Sequence, residues 1–334
     1  MDVNKQTQPL QLGIVGTNFV SDWLAEAAAV LPQVEVCAVY SRAQQTGEAF
    51  AAKHGIAKVY TDYDAFLADE KLQAVYIASP NFAHCGQAVR AARAGRHILC
   101  EKVIATNSRE LEEMTSAASA AGVVLMEAMR PLYDPALALL RSQLPQLGTL
   151  RRVSLEYCQY SSRYDRFLQG EILNAFDPTL SNAAIMDIGV YPIAVCVALF
   201  GAPRHVTAVS SVLHNGFEGC GQLLLEYPDF PVTVAYSKVS ESVTPSVFQG
   251  EKGSLTIDKI SMPKHITFCP YRGQAQELAY RPDANNMVYE LAEFARLVAD
   301  GTVQHPGLEI SRTQMRIMDE ARRQNGIVFP ADYA

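Results

Sequence analysis

The sequence predicts an α/β protein of two domains: a doubly wound parallel sheet, then a second α/β domain built on a mainly antiparallel sheet. Three observations carry this. The chain has 334 residues, more than one core usually serves. Up to about residue 127, short β-branched apolar runs alternate with alanine-rich helical stretches, the spacing of βαβ units. Beyond residue 200, apolar runs follow one another closely, separated by turn-forming residues.

In order, LQLGIVG leads into SDWLAEAAAVL, VEVCAVY into AQQTGEAFAAKHG, and KVYTD into DYDAFLAD. AVYIAS leads into AHCGQAVRAARAG and HILCEK into SRELEEMTSAASAAG, and VVLMEA closes the series. Gly95 and Gly122 stand where two of these helices should end, because glycine accepts the left-handed C-terminal conformation. A helix is expected around Pro135–Gln143, a strand over 149–160, and a helical apolar block at 183–200. Strands follow near 205–213, 219–227, 231–239, 246–250, 253–258 and 265–269, separated by HNGFEG, YPDFP and QGEKG. Hairpin connections of this kind make an antiparallel sheet. Helices near 285–300 and 308–325 close the chain. The boundary falls near residues 128–134, giving domains 1–129 and 130–334.

Composition narrows the function classes. The net charge is −7 with no basic run, which argues against nucleic acid or an anionic membrane as partner. The seven cysteines are scattered and form no C-x-x-C, as expected of reduced thiols in a cytoplasmic protein. The seven histidines show no metal-ligand spacing, so no metal site is expected. The opening MDVNKQTQP lacks the apolar core of a signal peptide. The longest apolar stretch, 183–201, contains Asp187, Tyr191 and Pro192 and is a poor membrane span.

GIVGTNFVSDW, residues 13–23, follows a strand and opens a helix, where a G-x-G-x-x-G loop would bind a dinucleotide. Gly16, Asn18 and Ser21 occupy its three positions. Gly16 permits the tight turn, and Ser21 is small enough for close helix–strand packing. Asn18 tolerates left-handed backbone, and its amide is expected to donate to a phosphate oxygen. The helix N-terminus offers unpaired N–H groups to an anion. The second strand ends in Tyr40-Ser41-Arg42, not in the acidic residue that binds a ribose 2′-hydroxyl. A hydroxyl and a guanidinium suit a 2′-phosphate, so NADP(H) is favoured and NAD(H) remains possible. Ser79-Pro80-Asn81 and Glu101-Lys102 end two further strands, where a doubly wound sheet binds its ligands.

Asp187 and Tyr191 lie four apart in NAAIMDIGVYPIAVCVALF, a spacing that shares one helical face. A carboxylate in so apolar a segment is costly unless paired. Gly189 and Pro192 fit a bent helix at a functional site. Lysine, aspartate and tyrosine together suit alcohol oxidation: tyrosine takes the hydroxyl proton, a nearby ammonium stabilises the phenolate, and the carboxylate orients a partner.

With GIVGTNFVSDW, AVYSR, VYIASPNFAH, HILCEK, MEAMRP, MDIGVYPI and EARRQNGIVFP, the chain resembles the Gfo/Idh/MocA oxidoreductases along nearly its whole length. The resemblance implies a Rossmann domain and an α/β domain with an open, mainly antiparallel sheet that often forms a homodimer or higher homo-oligomer. It implies catalytic roles for Lys102, Asp187 and Tyr191. Cofactor contacts are expected from Gly13, Gly16, Thr17, Asn18, Phe19, Val20, Ser41, Arg42, Ser79, Pro80, Asn81, His84, Glu101, Lys102 and Arg130. The substrate is expected to be a sugar, polyol or cyclic diol. Tyr160, Arg163 and Tyr164 either face it or form a solvated loop, and Asn182 is a further candidate. Three features depart from the family pattern: Val103 follows Glu-Lys in place of proline, Asn18 replaces glycine, and SNAA at 181–184 stands where many members have glycines. Because the same fold also serves a transcriptional repressor, a dinucleotide-sensing regulator without turnover is the alternative. The intact Lys102, Asp187 and Tyr191 argue for the enzyme.

Overall fold

The structure is a computed structural model that describes residues 8–333. The polar opening stretch, residues 1–7, lies outside the described residues. The strands are β1 (Leu10–Val15), β2 (Val34–Tyr40), β3 (Lys58–Tyr60), β4 (Ala74–Ile77), β5 (His97–Glu101), β6 (Leu125–Ala128), β7 (Leu150–Cys158), β8 (His205–Val212), β9 (Glu218–Glu226), β10 (Pro231–Ser237), β11 (Ser246–Gly250), β12 (Gly253–Ile257), β13 (Ile266–Pro270) and β14 (Gln276–Glu277). The α-helices are α1 (Phe19–Ala29), α2 (Gln44–His54), α3 (Tyr63–Leu67), α4 (His84–Arg93), α5 (Ser108–Ala121), α6 (Arg130–Tyr133), α7 (Pro135–Gln143), α8 (Tyr164–Leu168), α9 (Val190–Phe200), α10 (Met287–Ala299) and α11 (Pro306–Gln324). Among the described residues, no helix is long and apolar enough to cross a membrane.

The chain forms two compact units. Among the described residues, the first comprises 8–105, 109–128 and 283–308, and the second 106–108, 129–282 and 309–333. A single division at residue 129 does not contain the return of 283–308. That segment belongs to the first unit because α10 packs on α1, and Asn285 Nδ2 donates to the Trp23 carbonyl at 2.7 Å.

In the first unit the sheet runs β3-β2-β1-β4-β5-β6, with every pair parallel. Helices flank such a sheet on both faces, so its strands are buried on both sides, as Leu12, Ile14, Val75, Tyr76, Ile98 and Leu99 are. The strand order reverses between β1 and β4, which opens a crevice at their carboxyl ends. Gly95 and Gly122 follow α4 and α5 with φ of +72° and +68°, the left-handed conformation expected there.

The second unit's sheet runs β14-β13-β12-β11-β7-β10-β9-β8. Hairpins account for β8 to β10 and for β11 to β14. They do not account for the central pairing of β7 with β10, which is parallel because a long excursion through α8 and α9 separates the two strands. One face is apolar and packs under α9, with Val153, Leu155, Leu223, Leu225, Val232 and Val234 buried. The other carries Ser154, Thr207, Val209, Gln222, Leu224 and Thr233, of which Val209 is 69% and Leu224 47% exposed. The outer edge of β8 is covered by side-chain amides: Gln324 and Asn325 accept from the N–H groups of Ala208 and Ser210 at 2.8 and 2.9 Å.

Candidate active site

The nucleotide-binding candidates gather at the carboxyl ends of β1, β2, β4 and β5. Gly16 has φ of +102°, and a Cβ there would stand 3.0 Å from the Ala78 carbonyl oxygen, so only glycine fits without strain. Asn18 plays a different part from the one expected. Its backbone is extended, with φ of −85° and ψ of 176°, not left-handed. Its Oδ1 caps α1 by accepting from Val20 and Ser21 N–H at 2.9 and 3.2 Å, and its Nδ2 donates to the Ala78 carbonyl at 2.7 Å. One of the two amide N–H donors is therefore committed to the loop, and the second is left for a phosphate oxygen. The anion-binding backbone donors that remain at this helix start are the N–H groups of Thr17, Asn18 and Phe19. Gly13 lies inside β1, where a Cβ would collide with Phe66 and Leu72 at 2.5 and 2.6 Å, so it serves packing.

Arg42 is exposed beyond β2, whereas Ser41 is buried and its hydroxyl lies 2.7 Å from Thr46 Oγ1. Beyond β4, Ser79 donates to Gln87 Oε1 at 2.6 Å, with Pro80 exposed and Asn81 half-buried beside it. His84 is wholly buried, and its ring spans the carbonyls of Ser79 and Val103 at 2.8 and 2.9 Å. Burial holds its pKa below the ordinary histidine value, so the neutral ring donates to one carbonyl at a time. It clamps the two strand-end loops together. Glu101 Oε1 accepts from Tyr76 Oη at 2.5 Å and Oε2 from the Lys102 N–H at 3.2 Å. Lys102 is half-buried at the end of β5, and the Lys102–Val103 peptide bond is cis. A positive-φ glycine, unpaired helix-start amides and an exposed guanidinium fit the pyrophosphate and 2′-phosphate of a dinucleotide.

In the second unit the apolar block divides in two. Residues Ile185–Gly189 form one π-helical turn, followed directly by α9. Such turns insert a residue and recur at functional sites. Asp187 lies on this turn and Tyr191 at the start of α9. The buried Glu218 on β9 anchors the turn: its Oε2 accepts from Ile185 N–H at 2.8 Å and its Oε1 from Tyr236 Oη at 2.8 Å. Gly221 gives Tyr236 its space, since a Cβ there would stand 2.3 Å from the phenol oxygen.

Two cations meet the candidate catalytic side chains. Lys238 Nζ stands 2.7 Å from Asp187 Oδ2. Arg130, expected among the cofactor contacts, donates from Nη2 to Tyr191 Oη at 3.4 Å, and Tyr157 packs against the Tyr191 ring at 5.6 Å between centroids. Tyr160 hydrogen bonds Asp165 at 2.6 Å, Arg163 is exposed, and Tyr164 stacks on Phe167 and Phe176. Asn182 donates to the Asn174 carbonyl at 2.6 Å. Ser181 holds φ of +60°, in the left-handed region that favours glycine.

Lys238 and Glu218 escape the sequence reading. The signal for Lys238 lies in PVTVAYSK, where period two puts Val232, Val234, Tyr236 and the lysine on one buried face. Glu218 has no such signal, because its role depends on a turn 33 residues away.

Burial pushes the Glu218 carboxyl up to about 7 from an ordinary 4.5. The folded chain then holds a proton that the unfolded chain releases between those values. The stability this residue contributes is present below pH 4.5 and is lost as pH rises through about 7. The size is on the order of 3 kcal/mol. Glu218→Gln, neutral throughout, should match wild type near about pH 5 and exceed it near about pH 8, measured as Tm by calorimetry. Parallel Tm–pH curves for the two proteins would contradict this.

Residues 10–129 match the model of the oxidoreductase family with an NAD-binding Rossmann fold, and residues 142–256 match the Gfo/Idh/MocA C-terminal domain. The chain is 43% identical to scyllo-inositol 2-dehydrogenase (NADP(+)) IolU of Bacillus subtilis (strain 168), over 97% of this chain and 100% of that protein. It is 27% identical to the trans-1,2-dihydrobenzene-1,2-diol dehydrogenase of Mus musculus, over 97% and 99% of the two chains. Among solved structures, a 3-ketoreductase from Actinomadura kijaniata in complex with NADP and TDP-benzene has the same fold, with a TM-score of 0.84 at 23% identity, over 96% and 99% of the chains. With both domain models matched and a full-length relative above two-fifths identity, this chain belongs to the Gfo/Idh/MocA family of oxidoreductases.

Proposed function

We propose that this protein is an NADP(H)-dependent dehydrogenase acting on a CH–OH group of a polyol, sugar or cyclic diol, with NAD(H) a weaker alternative. The observation that carries this is the retention of Lys102, Asp187 and Tyr191 in a family member 43% identical along its length to an inositol dehydrogenase. A regulator that only sensed the dinucleotide would have no use for all three.

When bound, NADP+ supplies the acceptor for the hydride leaving the carbinol carbon. Tyr191 takes the hydroxyl proton in oxidation and returns it in reduction. The Lys102 ammonium donates to the substrate oxygen and stabilises the charge that develops there. Asp187 accepts from a neighbouring hydroxyl and fixes which carbon is presented. Thr17, Asn18 and Phe19 amides hold the pyrophosphate, and Arg42 holds the 2′-phosphate. Tyr160, Arg163, Tyr164 and Asn182 contact the remainder of the substrate.

The open face of the second sheet supports a homodimer or larger homo-oligomer, because its exposed Val209 and Leu224 lie beside Thr207, Gln222 and Thr233, with Arg152, Glu156 and Glu226 further along the same face. Seven unpaired cysteines support a reducing, cytoplasmic compartment.

Tyr191→Phe should lower kcat for a reactive inositol, aldose or dihydrodiol about 100-fold or more and leave NADPH affinity within about twofold. Equal turnover by both proteins would remove Tyr191 from proton transfer, and tight NADPH binding by a wild type without turnover would favour a sensor. Arg42→Ala should weaken NADPH by about 10- to 100-fold in a fluorescence titration and NADH by no more than about twofold, since only NADPH carries the 2′-phosphate. Equal losses would mean that Arg42 does not read that group. Leu224→Lys should shift the protein toward monomer in analytical ultracentrifugation, and a monomeric wild type at micromolar concentration would exclude the sheet interface.

A further inference from the structure

Lys238 is a buried cation in an otherwise apolar setting. It follows β10 on the inward register of Val232, Val234 and Tyr236 and is 4% exposed. Its ammonium has three kinds of partner. Nζ lies 2.7 Å from Asp187 Oδ2 and donates to the Ala175 carbonyl at 2.8 Å. It also stands 5.0 and 5.2 Å from the ring centroids of Phe176 and Phe217, within cation–π range. Asp187 differs, its side chain being 40% exposed. The ammonium therefore backs a carboxylate that reaches the surface.

A buried ion pair is a poor way to gain stability, since an apolar pair of similar volume often does as well. Its gain is geometric. One oxygen of the Asp187 carboxylate is held by an ammonium that is itself fixed by burial. The same ammonium ties it to the aromatic cluster of Phe167, Phe176 and Phe217, on which Tyr164 stacks. We propose that Lys238 is a positioning residue for the reaction: it holds Asp187 ionised and in register with the Tyr160–Tyr164 loop, so that the carboxylate meets one substrate hydroxyl. This rests on the role given to Asp187 above, and the test separates the two.

The first measurement needs no substrate. Side-chain carboxyl carbons are titrated by 13C NMR in wild type and Lys238→Met, with Asp187 assigned by the signal lost in Asp187→Asn. Tyr157, Glu218 and Tyr236 on the strands packed against the turn, and Arg130 on α6 beside α9, are unchanged in the variant. Loss of the neighbouring cation should raise the Asp187 midpoint by about one unit or more. An unmoved midpoint overturns the proposal. Lys238→Gln, which keeps a donor for Ala175 without the charge, should shift it equally and guards against a misfolded Lys238→Met.

The second measurement is a kinetic cycle of wild type, Lys238→Met, Asp187→Asn and the double variant, with NADP+ and scyllo-inositol as probe. Lys238→Met should lower kcat/KM about 10-fold, chiefly in kcat, and cost less than about twofold more in the Asp187→Asn background. Additive losses mean that Lys238 does not act through Asp187 and overturn the proposal. Full activity of Asp187→Asn instead removes Asp187 from the reaction, a failure of the proposed function that the NMR shift distinguishes.

Discussion

The pair of Asp187 and Lys238 joins a half-exposed carboxylate to a buried ammonium, and the buried charge must be paired. Lys238 extends from the second unit's own sheet, and much of that unit's geometry follows. The lysine must come from the inward face of β10, so that strand has to lie beneath the π-helical turn. The turn in turn is pinned by Glu218 from β9, with Tyr236 from β10 completing the hydrogen bonds. Two adjacent strands thus fix a turn that regular helical geometry would not produce. The extra residue in that turn sets where Asp187 and Tyr191 stand relative to the sheet.

The nucleotide-binding unit solves a related problem with backbone. Asparagine at the middle of the loop looks like a weakened phosphate ligand, yet its side chain closes the loop on itself and on the Ala78 carbonyl. A cap of this kind contributes about 1 kcal/mol and leaves the preceding amides pointing outward. The departure from glycine therefore keeps the loop's shape by other means. His84 does the same for the two loops beyond β4 and β5, as a buried strut between main-chain carbonyls.

The fold was largely legible because its signals are local. Strand–helix alternation, the glycines after α4 and α5, and the turn residues of the hairpins each act over a few positions. Asp187 and Tyr191 were legible for the same reason, as polar residues in an apolar block. Partnerships across the sequence were not. The parallel pairing of β7 with β10, the return of α10 to the first unit and the anchoring by Glu218 all join residues far apart in the chain. Lys238 was half legible: alternation marks it as inward-facing, but its carboxylate partner lies 51 residues earlier. Gly13, Asn18 and His84 also serve packing, capping and bracing, which a motif does not show because it gives a residue's position and not its neighbours.

The middle of the second sheet carries a consequence for how the protein is made. β7 emerges from the ribosome first but sits between β10 and β11, whose residues follow it by some eighty to a hundred positions. Its backbone must wait, open on both sides, while α8, α9 and the β8–β10 meander are synthesised. Long-range closure of this kind is slow and leaves a sticky nascent ribbon. Assembly of this half of the molecule is therefore a late event, paced by translation and exposed to capture by chaperones, whereas the parallel sheet can pair as it appears and waits only for α10 to cover α1.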